Sequence, residues 1–178
     1  MDAVAEAALT QAARAGDAVA FDALLDPLME AGYRLAFTML RDRQAAEDVV
    51  QEAAFKAWKK FHQFRHGESA RPWFLTIVAN ECRSLLRGRW WSVLKRADMP
   101  DLAGHDAAAA LVAGTDLRRS LEGLSFEHRL VLYLYFCEDL EQAEIARMLG
   151  VRVGTVKSRI YRAIQKLRVD LDVEEAPQ

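Results

Sequence analysis

Residues 141–168 read EQAEIARMLGVRVGTVKSRIYRAIQKLR, two short amphipathic runs divided by a glycine. In the first run Ile145 and Leu149 lie one helical turn apart, and Gly150 is the residue type that ends a helix in the left-handed conformation. A second helix is expected after Val151. With Val156 set to zero and about 100° per residue, Val156, Ile160, Ala163, Ile164 and Leu167 share one arc centred near ~20°. That arc packs inward. The opposite side carries Thr155, Ser158, Tyr161, Arg162 and Gln165, flanked by Lys157, Arg159 and Lys166. A helix, a tight turn and a second helix presenting hydroxyls and long cations from its N-terminal half have the shape that enters a DNA major groove. The competing reading is a solvated basic face on a bundle helix. The coincidence of both helices with the glycine turn favours the groove.

The charge pattern around this stretch is uneven. Arg147, Arg152, Lys157, Arg159, Arg162, Lys166 and Arg168 follow one another without an intervening acid, whereas residues 97–117 hold Asp98, Asp101, Asp106 and Asp116 and no Lys or Arg. The whole-chain charge of −2 and pI near 6.1 therefore conceal a basic module behind an acidic spacer. Met99 to Thr115, with Pro100, Gly104, Gly114 and four consecutive alanines, lacks an amphipathic period and reads as a flexible linker.

Upstream of the linker the chain is rich in Ala, Leu, Glu and Arg, and the whole sequence contains only 4 prolines, which points to helix nearly throughout. The expected class is all-α, with two small helical domains: residues 1–96, a linker over 97–115, and a helix-turn-helix domain over 116–178. Asp17 can cap a helix carrying Phe21, Leu24, Leu25, Leu28, Tyr33, Leu35, Phe37 and Leu40, with Pro27 and Gly32 as points of bending or interruption. A second helix over about Gln44–Phe61 puts Val50, Ala54, Trp58 and Phe61 on an inner face, leaving Glu47, Asp48, Gln51 and Glu52 largely outside it. Phe64 to Ala70 reads as a loop. Pro72 suits the first turn of a third helix to about Arg89, on which Trp73, Ile77, Asn80 and Ser84 share a flank. Short helices are expected over Asp116–Glu122 and Phe126–Cys137.

Several function classes lose support. No apolar run approaches the roughly 20 residues of a membrane span, and the first residues lack the basic and apolar parts of a signal peptide, so the chain is expected to stay in the cytoplasm without membrane insertion. Cys82 and Cys137 lack paired spacing and are expected as buried free thiols. His62, His66, His105 and His128 form no metal pattern, no glycine loop cradles phosphate, and no nucleophile has a legible base. Neither a cofactor nor a metal is expected, and an enzyme is the weakest reading. A stand-alone helix-turn-helix transcription regulator stays open on these residues alone.

Three strings occur in order: AEDVVQEAAFKAW at 46–58, RPWFLTIVAN at 71–80 and VGTVKSR at 153–159. Together they resemble the extracytoplasmic-function sigma factors of bacterial RNA polymerase, over residues 17–96 and 116–170. The resemblance implies promoter-specific initiation through the minus-ten and minus-thirty-five elements, with the stand-alone regulator as the alternative. It makes Asp48, Gln51 and Glu52 candidates for binding the clamp helices of core RNA polymerase, with a plain solvated acidic face as the competing reading. It implies a flipped-base pocket at the minus-ten element, with Asn80 on the base edge, Phe64, Ser69 and Ala70 shaping it, and Arg83 and Arg87 near phosphates. Trp73 is divided between that pocket and the core. His66 departs from the small or acidic residues common in the loop, and Ser84 stands where an acid is often seen, which leaves the base preference open. Thr155, Lys157, Ser158, Arg159, Tyr161 and Arg162 become the minus-thirty-five contacts, and the same domain is expected to dock on the polymerase flap. An anti-sigma factor is the implied regulator. The short tail after Arg168 leaves no room for an added sensory domain, so regulation is expected from a separate partner.

Overall fold

The computed structural model describes residues 3–64, 69–96, 119–121 and 123–172, and side chains within 7–64, 69–88, 119–121 and 123–170. Among these residues the regular structure is helical. The chain divides into two compact units, Met1–Gly88 and Arg89–Gln178.

The first unit opens with α1 (Ala3–Arg14), an element the sequence reading passed over. Helix α2 (Ala18–Leu40) starts where Asp17 caps it, its carboxylate accepting from the backbone N–H groups of Val19 at 2.9 Å and Ala20 at 3.1 Å. Neither Pro27 nor Gly32 interrupts it. It ends at Arg41, whose φ of 55° is left-handed and whose N–H returns to the Phe37 carbonyl. Asp42 then caps α3 (Arg43–Lys60), and a 3-10 turn over Phe61–Gln63 leads toward α4 (Ala70–Arg96). Helix α4 runs several residues beyond the expected end near Arg89.

Phe21, Leu24, Leu35, Ala36 and Met39 of α2, Val49, Val50, Ala53 and Ala57 of α3, and Phe74, Leu75, Val78 and Cys82 of α4 form the core. An aromatic cluster closes one end. Phe21 meets Phe61 edge-on at 5.1 Å between ring centroids, Phe61 stacks on Phe64 at 5.2 Å, and Trp73 sits edge-on to both, at 5.6 and 5.1 Å. Gly32 marks the closest approach of α2 to α4: a methyl there would lie 2.8 Å from Phe74 Cε1.

Two expected core positions are corrected. Trp58 is 38% exposed and touches the core only through the edge of its ring against Phe21 at 5.0 Å. Phe37 is 39% exposed and stacks on Tyr33 at the surface of α2. Both sit at the margin of an apolar arc that Ala53, Ala57, Leu35 and Ala36 already fill with shorter side chains.

In the second unit, residues 119–121 are helical and the rest of the expected Asp116–Glu122 helix lies outside the described residues, as do the linker over 99–115, His66 and His105. Ser125 caps α5 (Phe126–Phe136), followed by α6 (Gln142–Leu149) and α7 (Val153–Asp172). Gly150 ends α6 at φ 64°, its N–H reaching the carbonyls of Ala146 and Arg147, and Val151 N–H bonds Ala146 O at 3.0 Å. Leu130, Val131 and Leu134 of α5, Ile145 of α6, and Val156, Ile160 and Ala163 of α7 make the core. Cys82 is buried as expected, but Cys137 is exposed at the end of α5.

Candidate nucleic-acid interface

Helix α7 is positioned from two sides. Its inner arc packs on α5 and α6, with Val156 and Ala163 fully buried. Two polar ties then fix its rotation: Arg159 Nη1 donates to Glu127 Oε2 at 2.9 Å, and Lys166 Nζ donates to the Gly123 carbonyl. The pairing of Arg159 with a carboxylate of α5 sets it apart from the other five candidates on this helix. That bond helps to hold the helix in place and engages Nη1 of the guanidinium, whose other N–H groups are not tied by it.

Of the remaining five, Lys157, Tyr161 and Arg162 are exposed, Tyr161 at 65%. Thr155 and Ser158 are half-buried, and the Ser158 hydroxyl donates to the Thr155 carbonyl at 3.0 Å. The surface is thus a phenol and two cations standing clear of a hydroxyl-bearing first turn, a chemistry suited to base edges and phosphates.

The candidates in the first unit form two separate surfaces. On α4, Asn80 is exposed and its Oδ1 accepts from Arg83 Nη1 at 2.8 Å. Arg87 is exposed farther along the helix. Trp73 is half-buried, with two edge contacts to the aromatic cluster, so it serves the core along one side. Phe64 and Ala70 are buried at 2% and 5%, beneath exposed Ser69. Both belong to the core rather than to the exposed surface.

On α3, Asp48, Gln51 and Glu52 are exposed. Gln44 Nε2 donates to Asp48 at 3.1 Å, and Lys56 bridges Glu52 at 3.2 Å and Glu81 of α4 at 2.6 Å. The Glu81 hydrogen bond is the main reason the Lys56 pKa is raised. Phe55 adds a 52% exposed ring on the same face, with Lys59 Nζ 4.0 Å from its centroid. A shallow open groove beside Gln51 is lined by Met29, Glu30, Tyr33, Glu47 and Val50. The sequence reading missed the contributions of α2 and Phe55 to this surface. An apolar ring standing among polar residues on an exposed helix face was the available signal.

No cluster of three or more possible metal ligands occurs among the described residues, and none of their helices is long and apolar enough to cross a membrane.

The comparisons with known proteins agree with both units. Sigma-70 region 2 matches residues 25–92, and Sigma-70, region 4 matches residues 120–169. These define the class, a two-domain sigma factor of RNA polymerase. The chain is 31% identical to RNA polymerase sigma factor SigV of Bacillus subtilis, over 80% of this chain and 86% of that protein. It is 33% identical to ECF RNA polymerase sigma factor SigL of Mycobacterium tuberculosis, over 89% of this chain and 93% of that one. Among solved structures it is similar to the sigma factor RpoE bound to the anti-sigma factor NepR from Bartonella quintana, with a TM-score of 0.71, 29% identity, and 87% and 98% of the two chains covered. It is also similar to CnrH bound to the cytosolic domain of CnrY, with a TM-score of 0.72, 27% identity, and 96% and 99% covered. The chain belongs to the extracytoplasmic-function sigma factors and directs promoter-specific initiation by core RNA polymerase.

Proposed function

We propose that α7 reads the minus-thirty-five element as duplex through Thr155, Lys157, Ser158, Arg159, Tyr161 and Arg162. The observation that carries this reading is that Tyr161 and Arg162 stand exposed on a helix whose opposite side is buried and whose rotation is tied at both Arg159 and Lys166. Such a face meets DNA with little reorganisation. Asn80 and Ser69, backed by Phe64, Ala70 and Trp73, receive a base flipped from the minus-ten element, and Arg83 and Arg87 neutralise nearby phosphates. Asp48, Gln51 and Glu52 bind the clamp helices, and the second domain docks on the flap. Residues 97–115 link a domain over 1–96 to one over 116–178, so both promoter elements are held only when polymerase binds each domain. The protein acts in the cytoplasm by binding, without an active site or cofactor. Because RpoE is seen bound to the anti-sigma factor NepR, and CnrH to the cytosolic domain of CnrY, an anti-sigma factor is the expected regulator.

Run-off transcription with purified core enzyme tests the assignment. Asn80→Ala should leave core affinity unchanged and impair strand opening, read by permanganate reactivity of unpaired thymines. Weaker core binding with normal opening once core is saturating would remove Asn80 from the pocket. Replacing Asp48 and Glu52 by Ala should weaken core binding and leave opening normal at saturating core.

A further inference from the structure

The second unit carries a positive edge that continues beyond the base-reading face of α7. Arg159, Arg162 and Lys166 follow at three- and four-residue steps and form one ridge along the helix. The bond from Arg159 to Glu127 and that from Lys166 to Gly123 O fix this ridge over the turn before α5 and its first residues. His128 lies in that first turn, half-buried, with its backbone N–H held by Ser125 Oγ at 3.4 Å. Its imidazole is faced by Arg159, Arg162 and Lys166 from α7 and by Glu127 from its own helix. Glu127, the single acid in the group, is already paired with Arg159. Burial, then the three cations, hold the imidazole below its ordinary value of 6.5.

We propose that His128, Arg162 and Lys166 together hold one backbone phosphate of promoter DNA beside the bases that α7 reads. This rests on the reading of α7 as the duplex-reading helix and adds a contact from α5. The three side chains come from two helices whose relative position is locked by the ties at Arg159 and Lys166, so the site exists before DNA arrives. A phosphodiester accepts hydrogen bonds from a guanidinium, an ammonium and an imidazolium, and it offsets part of the cationic field that, after burial, lowers the His128 pKa. Binding then draws one proton from solvent onto the imidazole. Between the free-state and bound-state pKa values the complex holds more protons than the free protein, so affinity rises as pH falls through that window. Below the free-state pKa the imidazole is charged in both states, and the pH effect ends.

The test uses holoenzyme assembled from the full chain and core polymerase, with a promoter duplex selected by that holoenzyme. Wild-type binding should tighten from about pH 8 to about pH 6 more steeply than that of His128→Gln, by up to about tenfold for each unit by which binding raises the pKa. His128→Lys should bind tightly across the whole range, which also shows that substitution at this half-exposed position leaves the domain folded. Neutral methylphosphonate placed at successive backbone positions should weaken wild-type binding at one position by clearly more than it weakens His128→Gln, in which Arg162 and Lys166 still meet that phosphate. A His128→Gln profile parallel to wild type, or a scan in which no position depends on residue 128, would overturn the proposal while leaving α7 as the reader. Unchanged duplex affinity in Tyr161→Ala, a change outside the phosphate site, would instead sink the reading on which it rests.

Discussion

The two units bury their cores in different ways, and their surfaces differ accordingly. The second is built mainly on aliphatic side chains, and its candidate DNA face is one side of a single helix. The first is closed by interlocked rings of Phe21, Phe61, Phe64 and Trp73, and its candidate surfaces lie on α3 and on α4 with its preceding loop. A face carried on one helix tolerates remodelling of its neighbours, provided the ties at Arg159 and Lys166 persist. The proposed minus-ten site does not, because Phe64 and Ala70, which would back it, are also part of the core.

The sharpest way to break this contrast is Phe74→Ala. The ring is fully buried and is expected to contribute about 3–5 kcal/mol, so calorimetry of the full chain should show the first unit's transition falling while the second's stays in place. A shift of both transitions together would mean that the units fold as one. Next in size is Arg162→Ala, which should cost duplex binding about 1–3 kcal/mol and flatten the salt dependence, with no change in unfolding temperature. Gly150→Ala places a side chain at φ 64° with open space around it, so only backbone strain is felt; a loss of about 1 kcal/mol should appear in the second transition alone. The smallest stability effect is expected from Glu127→Gln. Its pair with Arg159 is about a quarter to a third exposed, which limits the loss to under about 1 kcal/mol, but freeing Arg159 should loosen the rotation of α7 and weaken duplex binding by more than the stability change implies.

The cysteines separate the units without perturbing either. Burial pushes the Cys82 thiol up to about 12, so it remains protonated and shielded at neutral pH, whereas Cys137 is exposed. A thiol reagent should label one site per native chain, in the second unit, and two after denaturation. Labelling of Cys82 in the native protein would show that the first core opens more readily than its packing implies.

The same contrast explains what could be read from the sequence. The side of α7 was legible because one period of 3.6 residues sorts Val156, Ile160 and Ala163 from Tyr161 and Arg162 without reference to any other element. Asp17 and Gly150 were equally local, each satisfying groups at the helix end it borders. The first unit resisted because its decisive contacts join residues far apart in sequence. Nothing near Phe64 indicates that it will lie under Trp73, and the bridge from Lys56 to Glu81 depends on how two helices cross. Trp58 and Phe37 were misplaced for a related reason: periodicity gives the direction of an apolar arc but not its width. Helix α1 was missed because its run of alanines offers little contrast between its faces.

Gly32 carries a consequence for how this sequence can drift. Most helix positions admit alanine at a gain of about 1 kcal/mol over glycine, so an interior glycine is normally easy to replace. Here the added methyl meets the fully buried ring of Phe74 at 2.8 Å, with Val78 close behind at 3.4 Å. The two positions therefore behave as one two-letter word: a larger residue at 32 is admissible only with a smaller one at 74, and either change made first passes through a less stable intermediate. A pairwise library at Gly32 and Phe74 should recover folded proteins along that diagonal and few elsewhere.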